Sequence, residues 1–423
     1  MRVLVTSIPH HTHYYHLVPL IWALRASGHE VVAAGQPSLV DAITSSGIPA
    51  FPLAEEESLA QIFEEVEGDL QPYQHGIDEF DFLGTLKDEL DWEKLLAQQV
   101  ILSGLWLEPL NGATTLDSIV GFARSWKPDL VLWEPFTYAG PVAARACGAA
   151  HARVLWGPDT IGLLRTKFLE ARAQQPEEHR DDPVAEWMTW ALARYGCDFR
   201  EEDVLGQWSV DPMAEGVSLG LDLPTVPMRY TPYNGSAVIP DWLTEEPKRP
   251  RVCLTLGVSS REHSEDEVPV QRFLEALADL DIELVATLDD AQRDLLPRIP
   301  DNTRIVDFVP MDALLPTCSA IINHSGSGTC NTAALHGVPQ IILGGILDAA
   351  VRQHMFARSS AALTFAPEEV TGESLRSALV RLLEEPRFRD GARRLKERMR
   401  AMPSPAGIVP TLERLTAEHR RTS

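Results

Sequence analysis

Short apolar runs of strand length alternate with helical stretches along most of this 423-residue chain, and that alternation narrows its fold more than any other feature. The unit is visible at once: apolar Val3 to Thr6, a polar loop, a helical stretch from Pro19 to Ala26, then Val31 to Ala34. Pro19 suits a first helical turn, where its missing N–H is no loss, and Gly28 sits where a helix stop is expected. The pattern returns with Asp129 to Trp133 as a buried strand, Pro141 to Cys147 as a helix closed by Gly148, and Ala152 to Trp156 as a further strand. Strand–helix alternation of this kind predicts an α/β chain with parallel, doubly wound sheets.

The pattern collapses between residues 211 and 250, where Pro212, Pro224, Pro227, Pro232, Pro240, Pro247 and Pro250 interrupt both regular elements. This segment is expected to connect two domains, residues 1–210 and residues 251–400. The second series runs through Arg251 to Leu256, Ile282 to Leu288, Thr303 to Phe308, Ala320 to Asn323 and Gln340 to Leu343. Two Rossmann-like halves facing each other follow from it, with residues 401–423 as a tail packing back on the first. Residues 55 to 110 are the least regular stretch, acidic at Glu55 to Glu57 and Glu64 to Glu67, and read as helical insertions.

Charge narrows the function. Lys and Arg number 37 against 61 Asp and Glu, a formal charge of −24, which argues against a general polyanion binder such as a nucleic-acid-coating protein. An anionic ligand therefore needs a local device. The five cysteines, Cys147, Cys197, Cys253, Cys318 and Cys330, are scattered and never form a C-x-x-C pair, which points away from a disulfide frame and towards a reducing cytoplasm. The stretch from Met1 to Pro9 is too short for a signal peptide, and Val338 to Leu347 falls well short of the roughly 20 residues that a membrane span needs.

The local device is Asn323-His324-Ser325-Gly326-Ser327-Gly328-Thr329, directly after one strand and directly before a helix stopped by Gly337. Glycines let backbone amides approach an anion, and a helix N-terminus carries unpaired N–H groups and about half a positive charge. A diphosphate fits there, with the Ser325, Ser327 and Thr329 hydroxyls and the His324 ring as further donors. A glycine-rich turn without a ligand is the competing interpretation. Neither a Walker A loop nor a Gly-x-Gly-x-x-Gly fingerprint is present.

The loop after the first strand holds His10, His11, His13 and His16. Glu134 follows the strand Asp129 to Trp133, so both fall at the carboxyl ends of parallel strands, where α/β folds bind ligands. A His–carboxylate pair there makes a general base: the imidazole takes a proton and the carboxylate fixes its tautomer. Solvated loop histidines and a metal site are the alternatives; the loop itself contains no Asp, Glu or Cys. Asp279-Leu280-Asp281 matches an Asp-x-Asp pattern but precedes its strand, and reads as a turn. Arg376 to Arg400, with nine basic against four acidic residues, reads as a solvated helix face.

Taken together these residues resemble bacterial glycosyltransferases of the GT-B fold, family 1, above all those that attach deoxysugars to polyketide aglycones such as macrolides and anthracyclines. The resemblance spans essentially the whole chain. Its carriers are Thr12-His13-Tyr14-Tyr15, Leu17-Val18-Pro19-Leu20, Gly28-His29-Glu30-Val31, Pro128 to Pro135, His151-Ala152-Arg153, Leu155 to Asp159, Met228-Arg229-Tyr230, Pro232 to Gly235, Asp307 to Pro310, and His324 to Thr329 through Gly337-Val338-Pro339-Gln340.

The resemblance implies two Rossmann-like domains facing a central cleft, and a nucleoside diphosphate sugar, a TDP-deoxysugar, held by the second. The base would rest near Phe308 and Val309 and the diphosphate at His324, Ser325, Gly326, Ser327, Gly328 and Thr329. Asp348 falls where the family places an acid that contacts sugar hydroxyls; Ala349 and Arg352 stand where a Gln and an Asn are usual, which fits a donor with fewer hydroxyls. His13 matches the catalytic base and Glu134 stands where an Asp commonly orients it. Trp92, Trp106, Phe136 and Trp156 are candidates for a hydrophobic acceptor cleft, or for core, and His16 is a second acceptor-side histidine or a loop residue. A single inverting displacement without metal or cofactor is implied, with a homodimer and an auxiliary protein resembling an inactive cytochrome P450 as partners, and neither nucleic acid nor membrane. An epimerase, a nucleotide-sugar hydrolase or a non-catalytic partner protein on the same fold would share the diphosphate site.

Overall fold

The computed structural model describes residues 1–54, 81–255, 270–344, 348–366 and 369–420. The acidic clusters at residues 55–57 and 64–67 lie outside them. Two compact units divide the chain, one comprising Met1–Pro212, Leu219–Met228 and Pro403–Ser423, the other Met213–Ser218 and Arg229–Met402.

The first unit is built on seven parallel strands: β1 (Arg2–Thr6), β2 (Glu30–Gly35), β3 (Ala50–Pro52), β4 (Leu130–Trp133), β5 (Ala150–Val154), β6 (Ser209–Asp211) and β7 (Thr225–Pro227). Their spatial order is β3-β2-β1-β4-β5-β6-β7. Thr6 at the end of β1 is level with Ala34 of β2 on one side and Trp133 of β4 on the other. The winding therefore reverses between β1 and β4, and the loops leaving these two strands diverge around a crevice at the carboxyl edge. Strands covered on both faces are buried throughout: all four residues of apolar β4 and all five of β5, His151 and Arg153 included, are buried.

The second unit repeats the plan with β8 (Arg251–Thr255), β9 (Glu283–Thr287), β10 (Thr303–Val306), β11 (Ala320–Asn323), β12 (Gln340–Leu343) and β13 (Ala362–Phe365), in the order β10-β9-β8-β11-β12-β13. Alternation along the strands sends Val252, Leu254, Ala320 and Ile322 to one face, packed with Phe273, Leu274, Leu375 and Leu379. It sends Cys253, Val285 and Ile321 to the other, packed with Leu314, Ala333 and Val338. The switch point here lies between β8 and β11.

Three departures from the sequence pattern have physical causes. Segment 211–250 is more than a connection: Asp211 ends β6, and Thr225–Pro227 form β7, the edge strand of the first sheet. An edge strand tolerates Pro227 because one of its sides has no ladder partner to serve. β5 begins at Ala150 and ends at Val154, so Trp156 lies in the loop beyond the strand rather than within it. β13, whose last three residues are only half-buried, lacks the unbroken apolar run that marks the other strands.

The C-terminal helix Pro405–His419 belongs to the first unit. His29 Nε2 lies 3.1 Å from Glu413 Oε1, the His419 ring is 5.4 Å from that of Trp208, and Arg420 pairs with Asp129. The five cysteines are free thiols, and no helix among the described residues is long and apolar enough to cross a membrane.

Candidate active site

His13 sits on the short helix His11–Tyr15 that leaves β1, and Glu134 follows β4 directly, so the switch point of the first sheet brings them together. His13 Nδ1–H donates to Glu134 Oε1 over 3.0 Å. Glu134 is 1% exposed, and its other oxygen, Oε2, accepts from the Phe136 amide at 3.2 Å and the Thr137 hydroxyl at 3.0 Å. A carboxylate held at both oxygens fixes the imidazole tautomer, leaving the Nε2 lone pair to take a proton. The helix itself is pinned by Tyr14, whose buried hydroxyl hydrogen-bonds Ser46 Oγ at 2.8 Å. Glu134 thus makes the contact expected of it despite a side chain one methylene longer than Asp.

A row of rings leads away from His13. The His13 and Trp156 centroids are 4.8 Å apart, Trp156 and Phe136 5.4 Å, and Phe136 and Trp106 5.3 Å. Trp106 occupies a π-helical turn, Leu102–Leu107, a geometry that recurs at functional sites. Buried Asn111 ties this turn to the next, donating from Nδ2 to the Leu107 and Phe136 carbonyls at 3.0 Å each. Trp92 lies outside the row: it opens the helix Trp92–Ile101 and stacks on fully buried Phe168 at 5.4 Å, so its ring serves helix packing. His16 forms the C-cap of His13's helix. His10 and His11 stack at 5.1 Å, as aromatic neighbours rather than as converging ligands.

The turn of the second unit runs from β11 into the helix Ser327–His336, closed by Gly337 at φ 72°. Gly326 is the N-cap of this helix and brings no capping side chain, so the first turn presents the kind of helix N-terminus that receives an anion. A Cβ on Gly326 would stand 3.0 Å from His324 Cε1, closer than ordinary packing allows. Ser325 departs from expectation: it is 1% exposed and its hydroxyl donates inward to the Ala349 carbonyl at 3.3 Å, so it shapes the turn through its backbone. Tyr230 braces the far side, donating to the Gly328 carbonyl at 3.2 Å, and burial pushes its phenol up to about 12.

Phe308, 56% exposed, offers an open ring beyond β10, whereas the Val309 side chain is buried in the core beneath and only its main chain can meet a ligand. Asp348 begins the helix Asp348–Arg358 and accepts on one oxygen, Oδ2, from both Nη1 and Nη2 of Arg352, at 2.8 and 2.9 Å. Sequence reasoning gave no structural part to Thr137, Asn111, Tyr230 or Arg352. Asp279 pairs with Arg376 and Asp281 with Arg249, as turn residues do. Among the described residues, the one group with metal-ligand geometry is His151, Glu202 and Asp203, which is remote from this edge because His151 lies at the start of β5, and Arg145 already occupies the Asp203 carboxylate there.

Residues 22–257 match the N-terminal domain of the erythromycin biosynthesis protein CIII-like family, and residues 271–415 match its C-terminal domain. The chain belongs to that family. Among its relatives, tylactone mycaminosyltransferase of Streptomyces fradiae is 52% identical over 99% of this chain and 93% of its own length. The 10-deoxymethynolide desosaminyltransferase of Streptomyces venezuelae is 52% identical over 100% of this chain and 98% of its own. Among solved structures, the glycosyltransferase VinC in complex with DTDP matches with a TM-score of 0.89 and 37% identity, covering 99% of this chain and 100% of VinC. The protein is a glycosyltransferase of the GT-B fold, and sugar transferases as relatives set aside the epimerase, hydrolase and non-catalytic alternatives.

Proposed function

We propose that this glycosyltransferase moves a deoxysugar from a TDP donor to a hydroxyl of a polyketide aglycone, in one inverting displacement with His13 as general base. The observation that carries it is the His13–Glu134 hydrogen bond of 3.0 Å at the switch point of the first sheet. His13 Nε2 takes the proton of the acceptor hydroxyl, and the oxygen so released forms its bond to the anomeric carbon as the bond to the diphosphate breaks. The leaving diphosphate keeps the electron pair, and the amides that open the helix Ser327–His336 stabilise it. Proton transfer by a positioned base contributes about 10² to 10⁴ in rate, and preorganised donors at the leaving group add a comparable amount.

In this proposal Phe308 stacks on the donor base, His324 and Gly326 to Thr329 hold the diphosphate on a turn that Ser325 shapes from within, Asp348 reaches the sugar, and Trp106, Phe136 and Trp156 form a platform for an apolar acceptor. A macrolide-class aglycone is supported by the relatives that act on tylactone and 10-deoxymethynolide, and a TDP donor by the DTDP complex of VinC. The sugar nucleotide is a co-substrate, and no metal or other cofactor has a part. A homodimer and an auxiliary protein resembling an inactive cytochrome P450 belong to the same proposal; light scattering and the activity of the purified chain alone test them. Radiolabelled TDP-deoxysugar incubated with and without a panel of macrolactone aglycones tests the main claim. Label should move to an organic-soluble product only when aglycone is present; release of free sugar in its absence would instead mark a hydrolase.

A further inference from the structure

We infer that Arg352 is a positioning residue of the donor site, holding the turn His324–Thr329 and the Asp348 carboxylate in one arrangement through a single guanidinium. The inference rests on the proposal that this turn receives the diphosphate. Arg352 is 3% exposed, and a guanidinium so buried demands a counter-charge and hydrogen-bond acceptors. It has both: Nη1 and Nη2 donate to Asp348 Oδ2 at 2.8 and 2.9 Å, and Nε donates to the Ser325 carbonyl at 2.9 Å. Asp348 is one turn back on the same helix, whereas Ser325 belongs to the glycine-rich turn, 27 residues away in the chain.

The Ser325 contact fixes the direction of a peptide plane. Ser325 adopts φ 73°, in the left-handed region that a residue with a side chain rarely enters unaided. Three bonds hold it there: its amide donates to Asn323 Oδ1 at 2.9 Å, its hydroxyl to the Ala349 carbonyl at 3.3 Å, and its carbonyl accepts from Arg352. Across a trans peptide the C=O and the following N–H point in opposite directions. With the Ser325 carbonyl drawn towards Arg352, the Gly326 N–H is aimed away from it, and among the described residues no protein group accepts from that N–H. Arg352 thereby sets the direction of an amide at the N-cap of the helix Ser327–His336, while its other two donors set the Asp348 carboxylate. Lysine keeps the charge but has neither the fork nor the Nε–H, so it cannot serve both partners at once.

Two variants separate this role from a general packing role. Arg352→Lys should raise the dissociation constant for thymidine diphosphate, measured by calorimetric titration, at least about tenfold, the scale of losing a charge-assisted hydrogen bond. Asp348→Asn keeps an oxygen for the Arg352 fork and leaves the Ser325 bond in place but removes the counter-charge, so it should cost clearly less thymidine diphosphate affinity than Arg352→Lys while lowering kcat/KM for the TDP-deoxysugar about tenfold or more. In the unsubstituted protein, thymidine diphosphate should slow hydrogen exchange of the peptide containing Gly326, a readout that does not depend on how any variant folds. Unchanged thymidine diphosphate affinity in Arg352→Lys, equal loss of that affinity in Asp348→Asn, or unaltered exchange at Gly326 with nucleotide bound overturns the inference. Failure of the unsubstituted protein to bind thymidine diphosphate at all overturns the donor-site proposal beneath it.

Discussion

His13 and Glu134 are 121 residues apart in the chain, yet Nδ1 of one and Oε1 of the other lie 3.0 Å apart. Two adjacent parallel strands do this, since β1 and β4 end level with each other and each hands its next residues to the same edge. The carboxylate is buried and the imidazole part-exposed, so the pair has one inner, fixed end and one outer, open end.

Glu134→Gln keeps an oxygen for the Nδ1–H but removes the negative charge that stabilises the imidazolium as the proton arrives. Turnover should fall about 10- to 10³-fold, with the acceptor KM changed little, because the lost interaction strengthens only as charge develops on the ring. Steady-state kinetics at saturating donor would show it, and a rise in KM at constant kcat would assign Glu134 to binding instead.

Trp156 touches both His13 and the row of rings, at 4.8 Å from His13 and 5.4 Å from Phe136. Trp156→Ala removes the centre of the proposed acceptor platform and should raise the acceptor KM about tenfold, whereas Trp156→Phe should recover most of it by keeping an aromatic face. Thymidine diphosphate affinity should stay unchanged in both, since Trp156 belongs to the first unit.

At Gly326 the room for a side chain is already taken, His324 Cε1 standing 3.0 Å and Nε2 3.2 Å from where a Cβ would be. Gly326→Ala should displace the His324 ring and weaken thymidine diphosphate binding by about three- to tenfold, the worth of roughly one hydrogen bond. Calorimetry gives the affinity directly, and wild-type affinity would mean that this turn does not touch the nucleotide.

His151 is fully buried at the start of β5 beside Arg145 and Asp203, and among the described residues neither ring nitrogen has a hydrogen-bond partner. Burial pushes its pKa down to about 3, with the Arg145 charge acting the same way. The folded value lies below the ordinary 6.5, so the unfolded chain takes up the proton first: stability is complete above pH 6.5 and declines as pH falls towards 3. Between pH 8 and pH 5 the loss is about 2 kcal/mol. Asp203, pushed up to about 6 by its own burial, acts in the opposite sense but titrates in both wild type and His151→Phe, so their difference reports the imidazole together with its 3.8 Å interaction with Asp203. Urea denaturation should find the variant gaining on wild type as pH drops; parallel pH profiles would contradict this.

What the sequence made legible follows from local order. Glu134 and the His324–Thr329 turn come directly after an apolar strand and His13 in the segment that leaves one, and in parallel sheets such residues fall at one edge whatever the rest of the chain does. The direction of individual side chains was not legible in the same way. Val309 and Ser325 stand beside open positions but turn inward, one into the core and the other onto Ala349, because loop backbone has no fixed period to tell in from out. Trp92 and Trp156 are equally aromatic in sequence, and only packing separates a ring stacked on Phe168 from one against His13. Tyr230 and Arg352 reach the donor turn from 98 and 27 residues away, and no short spacing marks such pairs.

The most direct test of the account is the turnover of His13→Ala, measured beside its affinity for thymidine diphosphate. Loss of at least about 10²-fold in kcat with nucleotide binding retained is the predicted result, since His13 and the turn His324–Thr329 belong to separate units. Turnover close to that of the unsubstituted protein would contradict the assignment of His13 as the base.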